Sequence, residues 1–113
     1  MEYSQSVSGF LTPYDHEKIT VDATSGGVTF TAAKLLNTAS VAEHLQGPAR
    51  HILITTETAP FRWTIDGTAP TTTVGHLANA GSVIELANMS AMKAFRAIRT
   101  TSTSAELHVT YER

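Results

Sequence analysis

The amino-acid sequence predicts an all-β chain, an antiparallel β-sandwich (jelly-roll or Ig-like) of about seven to eight short strands. Three observations lead there. Apolar and polar residues alternate with a period of two in one segment after another, as strands with one buried face require. Turn-forming residues interrupt these runs at short intervals, at Ser25-Gly26-Gly27, Asp66-Gly67 and Ala80-Gly81. Few of the gaps would hold the crossover of about a dozen or more residues that parallel pairing needs, so the sheets are expected to be antiparallel.

The segment from Met1 to His16 is polar, carries Gly9 and Pro13, and interleaves Tyr3, Val7, Phe10, Leu11 and Tyr14. It reads either as a first strand with a surface loop or as an arm that docks on a neighbouring subunit through its aromatic residues. The sandwich domain itself is expected over residues 17–113. Ile19, Val21 and Ala23 alternate with Lys18, Thr20 and Asp22, and Val28-Thr29-Phe30-Thr31 continues the pattern after the glycine turn.

Helical spacing is scarce. Leu35, Leu36, Val41 and Leu45 share part of a face, but Asn37, Thr38 and Ser40 interrupt it and Gly47-Pro48 ends it. Residues 32–45 therefore hold at most a short turn of helix, or else a strand from Thr29 to Leu36 followed by a loop. Further strands are expected at His51–Thr56, Phe61–Ile65, Val83–Leu86, Phe95–Arg99 and Leu107–Tyr111. The candidate core is Ile19, Val21, Val28, Phe30, Ile52, Ile54, Phe61, Trp63, Ile65, Val83, Leu86, Phe95, Ile98, Leu107, Val109 and Tyr111. Sliding any strand by one residue would exchange its two faces.

Bulk composition narrows the function classes. Of the 113 residues, 42% are hydrophobic and 16% charged, the opposite of a disordered chain's balance. The net charge is −2 and the basic residues are scattered, so the counterion-releasing patch that nucleic-acid binding needs is missing. Apolar stretches such as Ile52-Leu53-Ile54 fall far short of the roughly 20 residues that cross a bilayer. The polar start from Met1 to Gly9 does not resemble a signal peptide. Without cysteine there is neither a disulfide nor a thiolate metal site. A chain made and assembled in the cytoplasm is expected, with no membrane or nucleic-acid partner.

Catalytic chemistry is not expected. His16, His44, His51, His76 and His108 include no pair at the three- or four-residue spacing that puts two metal ligands on one helical face. No serine sits in a Gly-x-Ser-x-Gly elbow. Asp15, Glu17 and Asp22 are close in sequence but lie on a strand that turns such acids to water. Ser25-Gly26-Gly27 precedes a strand, not the helix a phosphate-cradling loop requires. No catalytic, metal or cofactor residue is assigned.

The most distinctive unit is Arg62-Trp63-Thr64-Ile65-Asp66-Gly67-Thr68-Ala69-Pro70-Thr71. Asp66-Gly67 after an alternating strand signals a tight hairpin, since glycine accepts positive φ. Pro70 stiffens the exit, and Asp66 reads as an acid that cages its own turn, not as a calcium ligand.

This unit, followed by Gly75-His76-Leu77, Ala80-Gly81, Ile84-Glu85-Leu86, Phe95-Arg96-Ala97-Ile98 and Leu107-His108-Val109-Thr110-Tyr111, resembles small β-sandwich structural proteins of tailed bacteriophages. In those proteins an R-[YW]-T-x-D-G-T-x-P-T strand and turn precedes a G-x-L-x-A-G turn and a late F-R-A-I strand. The Asp-Gly-Thr-x-Pro-Thr element also resembles that of accessory β-sandwich domains beside chitobiase-type catalytic domains. The phage resemblance implies a non-enzymatic virion component, a capsid decoration or cement protein or a head–tail accessory. Such a protein would self-associate as a homo-oligomer, trimers being common in the role, and bind the major capsid protein or another virion protein. The rival expectation is a carbohydrate-binding accessory module, which would display Trp63 to solvent beside Tyr3 or Tyr14.

Overall fold

The computed structural model describes residues 11–38 and 47–113. Its elements in chain order are β1 (Pro13–Val21), α1 (Ala32–Leu36), β2 (His51–Glu57), β3 (Phe61–Thr64), β4 (His76–Ala78), β5 (Val83–Leu86), α2 (Met89–Ala94), β6 (Arg96–Arg99) and β7 (Ala105–Glu112). The strands form a four-stranded sheet in the order β1-β7-β2-β5 and a three-stranded sheet in the order β4-β3-β6. Every pairing is antiparallel. The fold is all-β and sandwich-like, as the alternation requires.

Period-two patterning sets which side of each strand faces the core. Leu107, Val109 and Tyr111 of β7, Ile52 and Ile54 of β2, and Ile84 and Leu86 of β5 are buried from one sheet. Phe61, Ala78 and Ala97 are buried from the other. Aromatic rings tie the layers together: Phe30 stacks on Phe95 with centroids 4.5 Å apart and meets Tyr111 edge-on at 6.1 Å, while Trp63 stacks on Phe95 at 6.1 Å. Burying each such side chain contributes roughly 1.5–3 kcal/mol, which makes this cluster the main cement between the sheets.

The linker from Asp22 to Thr31 closes one side of the sandwich. It makes a bridge from Val28 to Ala97, and its end is pinned by Glu17, which accepts from the Thr31 N–H (3.1 Å), the Thr31 hydroxyl (2.7 Å) and the Tyr111 hydroxyl. Burial and then the Glu17 carboxylate push the Tyr111 phenol up beyond its ordinary range.

Several expectations need correction. Val28–Thr31 is not a strand but a single bridge, because the positive φ angles of Gly26 (+84°) and Gly27 (+88°) carry the chain across the edges of the sheets instead of along one. The helix is the five-residue α1, stopped by Asn37 in the left-handed region at φ 57°; residues 39–46 lie outside the described residues. Val83 is 60% exposed and Ile84 is buried in its place, since Ile84 pairs with the inward Ile54 of β2. Ile98 is only half-buried, because Ala97 is the inward residue of β6. Both slips are one-residue phase errors. Two elements went unanticipated, β4 and the six-residue α2, whose start is capped by Asn88 accepting from the Ala91 N–H at 2.8 Å.

Candidate interaction surface

The Arg62–Thr71 unit forms a braced loop, not a two-residue hairpin. β3 does pair with the strand that follows it, Trp63 opposite His76 and Phe61 opposite Ala78, but the connection runs from Ile65 to Gly75. Arg62 holds the loop from beneath, donating from Nε to the Thr72 carbonyl (3.1 Å) and from Nη1 to the Gly75 carbonyl (2.8 Å). The Thr64 hydroxyl donates to the Thr68 carbonyl at 2.5 Å, and Asp66 accepts from the Thr68 N–H at 3.0 Å. Thr71 Oγ1 accepts from the N–H groups of Thr73 (3.2 Å) and Val74 (3.0 Å).

The polar side chains of the motif are thus spent on the loop's own backbone. Donation from the Thr68 N–H, then from its hydroxyl, holds the Asp66 carboxyl below the ordinary carboxylate value. Gly67 has φ +91° and Pro70 is buried. Gly75 is tighter: at φ +124°, a Cβ there would lie 3.1 Å from the Trp63 carbonyl oxygen. The loop leaves an open cleft of about 400 Å³, lined by Thr64, Ile65, Asp66, Thr68, Val74, Gly75 and His76.

Trp63 is half-buried, with its ring against Phe95 and, at 4.9 Å, His76. Tyr14 is elsewhere: it packs on Tyr111 at 6.2 Å, and its hydroxyl donates to the Lys34 carbonyl at 2.7 Å. Burial, then the neighbouring Asp15 charge, push the Tyr14 phenol up to about 12. Asp15 itself is opposed by burial, but the His16 N–H and Lys34 (Nζ at 3.0 and 3.1 Å) outweigh that and hold its carboxyl low. Tyr14 therefore belongs to β1 and is engaged within the chain. Leu11 is half-buried just before it, and Thr12 exchanges backbone hydrogen bonds with Arg113 at 2.9 Å each. Tyr3, Val7 and Phe10 lie outside the described residues.

What the sequence pattern did not reveal is how charge divides between the sheets. Strands of the four-stranded sheet carry Asp15, Glu17, Glu57, Glu85, Glu106 and Glu112 against Lys18 as their one lysine or arginine. Those of the three-stranded sheet carry Arg62, Arg96 and Arg99 and no carboxylate. The division becomes visible only once strand order is known, since the basic strands β3 and β6 are interspersed among the acidic ones along the chain.

On the outer face of the four-stranded sheet, Glu57 and Glu106 are direct cross-strand partners. Like charges so placed are destabilising. Each is partly relieved by one neighbour, Glu106 by Lys18 (3.3 Å) and Glu57 by His108 (3.1 Å). On the opposite outer face, Arg62 is flanked in register by Leu77 and Ile98. Leu77 is 53% exposed, and Val74 close by in sequence is also exposed.

The four-stranded sheet holds one further cluster. His51, only 1% exposed, places Nδ1 2.5 Å from Glu112 Oε1 and Nε2 2.9 Å from Glu85 Oε1. The imidazole thus bridges two carboxylates through its two ring nitrogens and joins β2, β5 and β7. Glu112 is buried with it, whereas Glu85 reaches solvent. Among the described residues no group of three or more histidine or acidic side chains is placed to hold a metal ion, and no helix is long and apolar enough to cross a membrane.

No protein-family model matches the chain, and neither a curated protein nor a solved structure matches it.

Proposed function

We propose that the chain is a non-enzymatic structural protein of a bacteriophage virion, a capsid decoration or cement protein that self-associates and binds the capsid shell. The observation that carries this reading is the internal use of the Arg62–Thr71 motif. Arg62, Thr64, Asp66 and Thr71 all bond loop backbone, so the motif that bears the resemblance works as a rigid scaffold rather than as a reacting site. Rigid, preformed loops and faces suit a protein that makes the same contact many times on a symmetric shell, because little ordering entropy is lost at each contact. Two chemically different outer faces, one acidic and one basic with apolar residues, add surfaces suited to binding.

The carbohydrate-binding reading gains no support from Trp63. A sugar platform needs an aromatic face open to solvent, and this ring is packed between Phe95 and His76, away from Tyr14.

Mass spectrometry of purified particles tests the proposal. The expected result is a stoichiometric band of this chain in virions, from a gene beside those for the capsid, portal or maturation protease. Its absence from washed particles of the phage that encodes it would refute the reading.

A further inference from the structure

We infer that the acidic outer face of the four-stranded sheet docks on the basic outer face of the three-stranded sheet of a second copy, so that the chain associates head to tail. This deepens the proposed function and rests on its self-association clause. Three observations support it.

The charges are complementary and largely separated, Lys18 beside Glu106 being the one lysine or arginine on the strands of the acidic sheet. Glu57, Glu85 and Glu106 face outward from one sheet, while Arg62 and Arg96 face outward from the other, on strands without a carboxylate. Neither arginine is ion-paired among the described residues: Arg62 bonds the carbonyls of Thr72 and Gly75, and Arg96 that of Gly26 at 3.3 Å. A guanidinium whose donors meet only neutral carbonyls keeps its full charge for a partner.

The second observation is the Glu57–Glu106 pair. Side-by-side carboxylates on an exposed face weaken an isolated sheet. A basic face laid over them would remove that repulsion, so the penalty in the single chain becomes a driving force for the contact. Third, the basic face is not merely charged. Leu77 stands 53% exposed beside Arg62, with Ile98 on the other side. An apolar centre with a charged surround is the usual anatomy of a protein interface.

Complementarity of unlike faces also decides the symmetry. Two acidic faces repel, as do two basic ones, so a two-fold contact through either is disfavoured. The contact is heterologous, and because the two faces lie on opposite sides of the sandwich each added copy leaves one of each kind free. Association is therefore open-ended and stops where a shell or another partner covers the last face.

Sedimentation velocity on the intact chain tests this. At about 0.1 M salt the weight-average mass should climb with concentration past that of a dimer, and at about 1 M salt, where the screening length falls to about 3 Å, self-association should weaken at least about tenfold. Two variants identify the faces: Glu57→Gln with Glu106→Gln on one side, Leu77→Gln with Arg96→Gln on the other. Each alone should remain monomeric, and an equimolar mixture should form a dimer that grows no further. Circular dichroism unchanged from wild type, with melting no lower than wild type, establishes that the substitutions act on association.

A wild-type chain that stays monomeric at every concentration overturns the inference. So does either double variant forming a stable homodimer, which would mean like faces meet. Particle incorporation separates this from the broader proposal: a monomer found in virions sinks the head-to-tail contact and leaves the virion reading standing. Salt-sensitive stacks from a chain absent from virions do the reverse.

Discussion

Replacing His51 with phenylalanine keeps most of the side chain's volume and removes both of its hydrogen bonds, which separates the polar loss from a cavity effect. Glu85 has a side chain 43% exposed and can turn to water, so it contributes little to the loss. Glu112 cannot, since its side chain is 7% exposed and it has lost a donor at 2.5 Å. Breaking a buried pair in this way costs about 3–5 kcal/mol.

The expected loss is about 3 kcal/mol, a large fraction of the 5–15 kcal/mol typical of a domain but short of unfolding it. Urea denaturation measures the loss. A double-mutant cycle with Glu112→Gln should return a coupling of at least about 1 kcal/mol. A His51→Phe variant within about 0.5 kcal/mol of wild type would refute the buried network.

Three further outcomes are expected. Gly75→Val should destabilise more than Gly67→Val by about 1–2 kcal/mol in the same denaturation assay, because both glycines have positive φ but only at Gly75 would the added Cβ meet backbone, the Trp63 carbonyl; nothing lies within 4 Å at Gly67. Ile54→Ala should cost about 2–5 kcal/mol and Val83→Ala less than about 0.5 kcal/mol, since they occupy adjacent cross-strand rows on opposite faces; equal costs would mean the β5 register is wrong. Asp15, Asp22 and Asp66 are held below the ordinary carboxylate value: Asp15 by the His16 N–H and Lys34 against the opposing effect of burial, the other two by the hydroxyl and N–H donors of Thr24 and Thr68. Groups depressed in the folded state stabilise it above their unfolded value, about 3.9 for aspartate, and that support is lost as pH falls through the folded values. Thermal melts should therefore decline below about pH 4, and the triple Asp→Asn variant should show a flatter decline.

How much was legible beforehand follows from where the information resides. Alternation is local, so β2, β3 and β7 and their inward residues could be read from the chain itself, and β1 from Lys18 onward; Asp15 and Glu17, expected to face water, instead bond Lys34, Thr31 and Tyr111. Phase failed at β5 and β6, where apolar residues stand at adjacent positions (Val83-Ile84 and Ala97-Ile98) and only the partner strand decides which turns inward. The Asp66-Gly67 signal correctly marked a positive-φ glycine, but it could not show that Arg62, four residues earlier, would reach across to Thr72 and Gly75 and hold open a longer loop. Charge segregation and the His51 network were invisible for a stronger reason. Both join residues from strands far apart in sequence, such as His51, Glu85 and Glu112, and exist only after the sheet order β7-β2-β5 is known.

Inward positions of each strand build the core, outward ones build the two faces, and substitutions on one set should leave the other set's property unchanged. His51 and Glu112 break the rule. By register they belong to the outward set of the four-stranded sheet, opposite one another on β2 and β7, yet they are buried like the core. His51 also holds Glu85, which stands on the edge strand β5 and contributes to the acidic face. Loss of His51 should therefore do what no ordinary core substitution does at a matched loss of stability. It should free Glu85, loosen β5 at the sheet edge, and weaken head-to-tail association by more than Ile54→Ala does under conditions where both variants remain folded. Equal association by the two variants would mean that the buried histidine serves the fold alone.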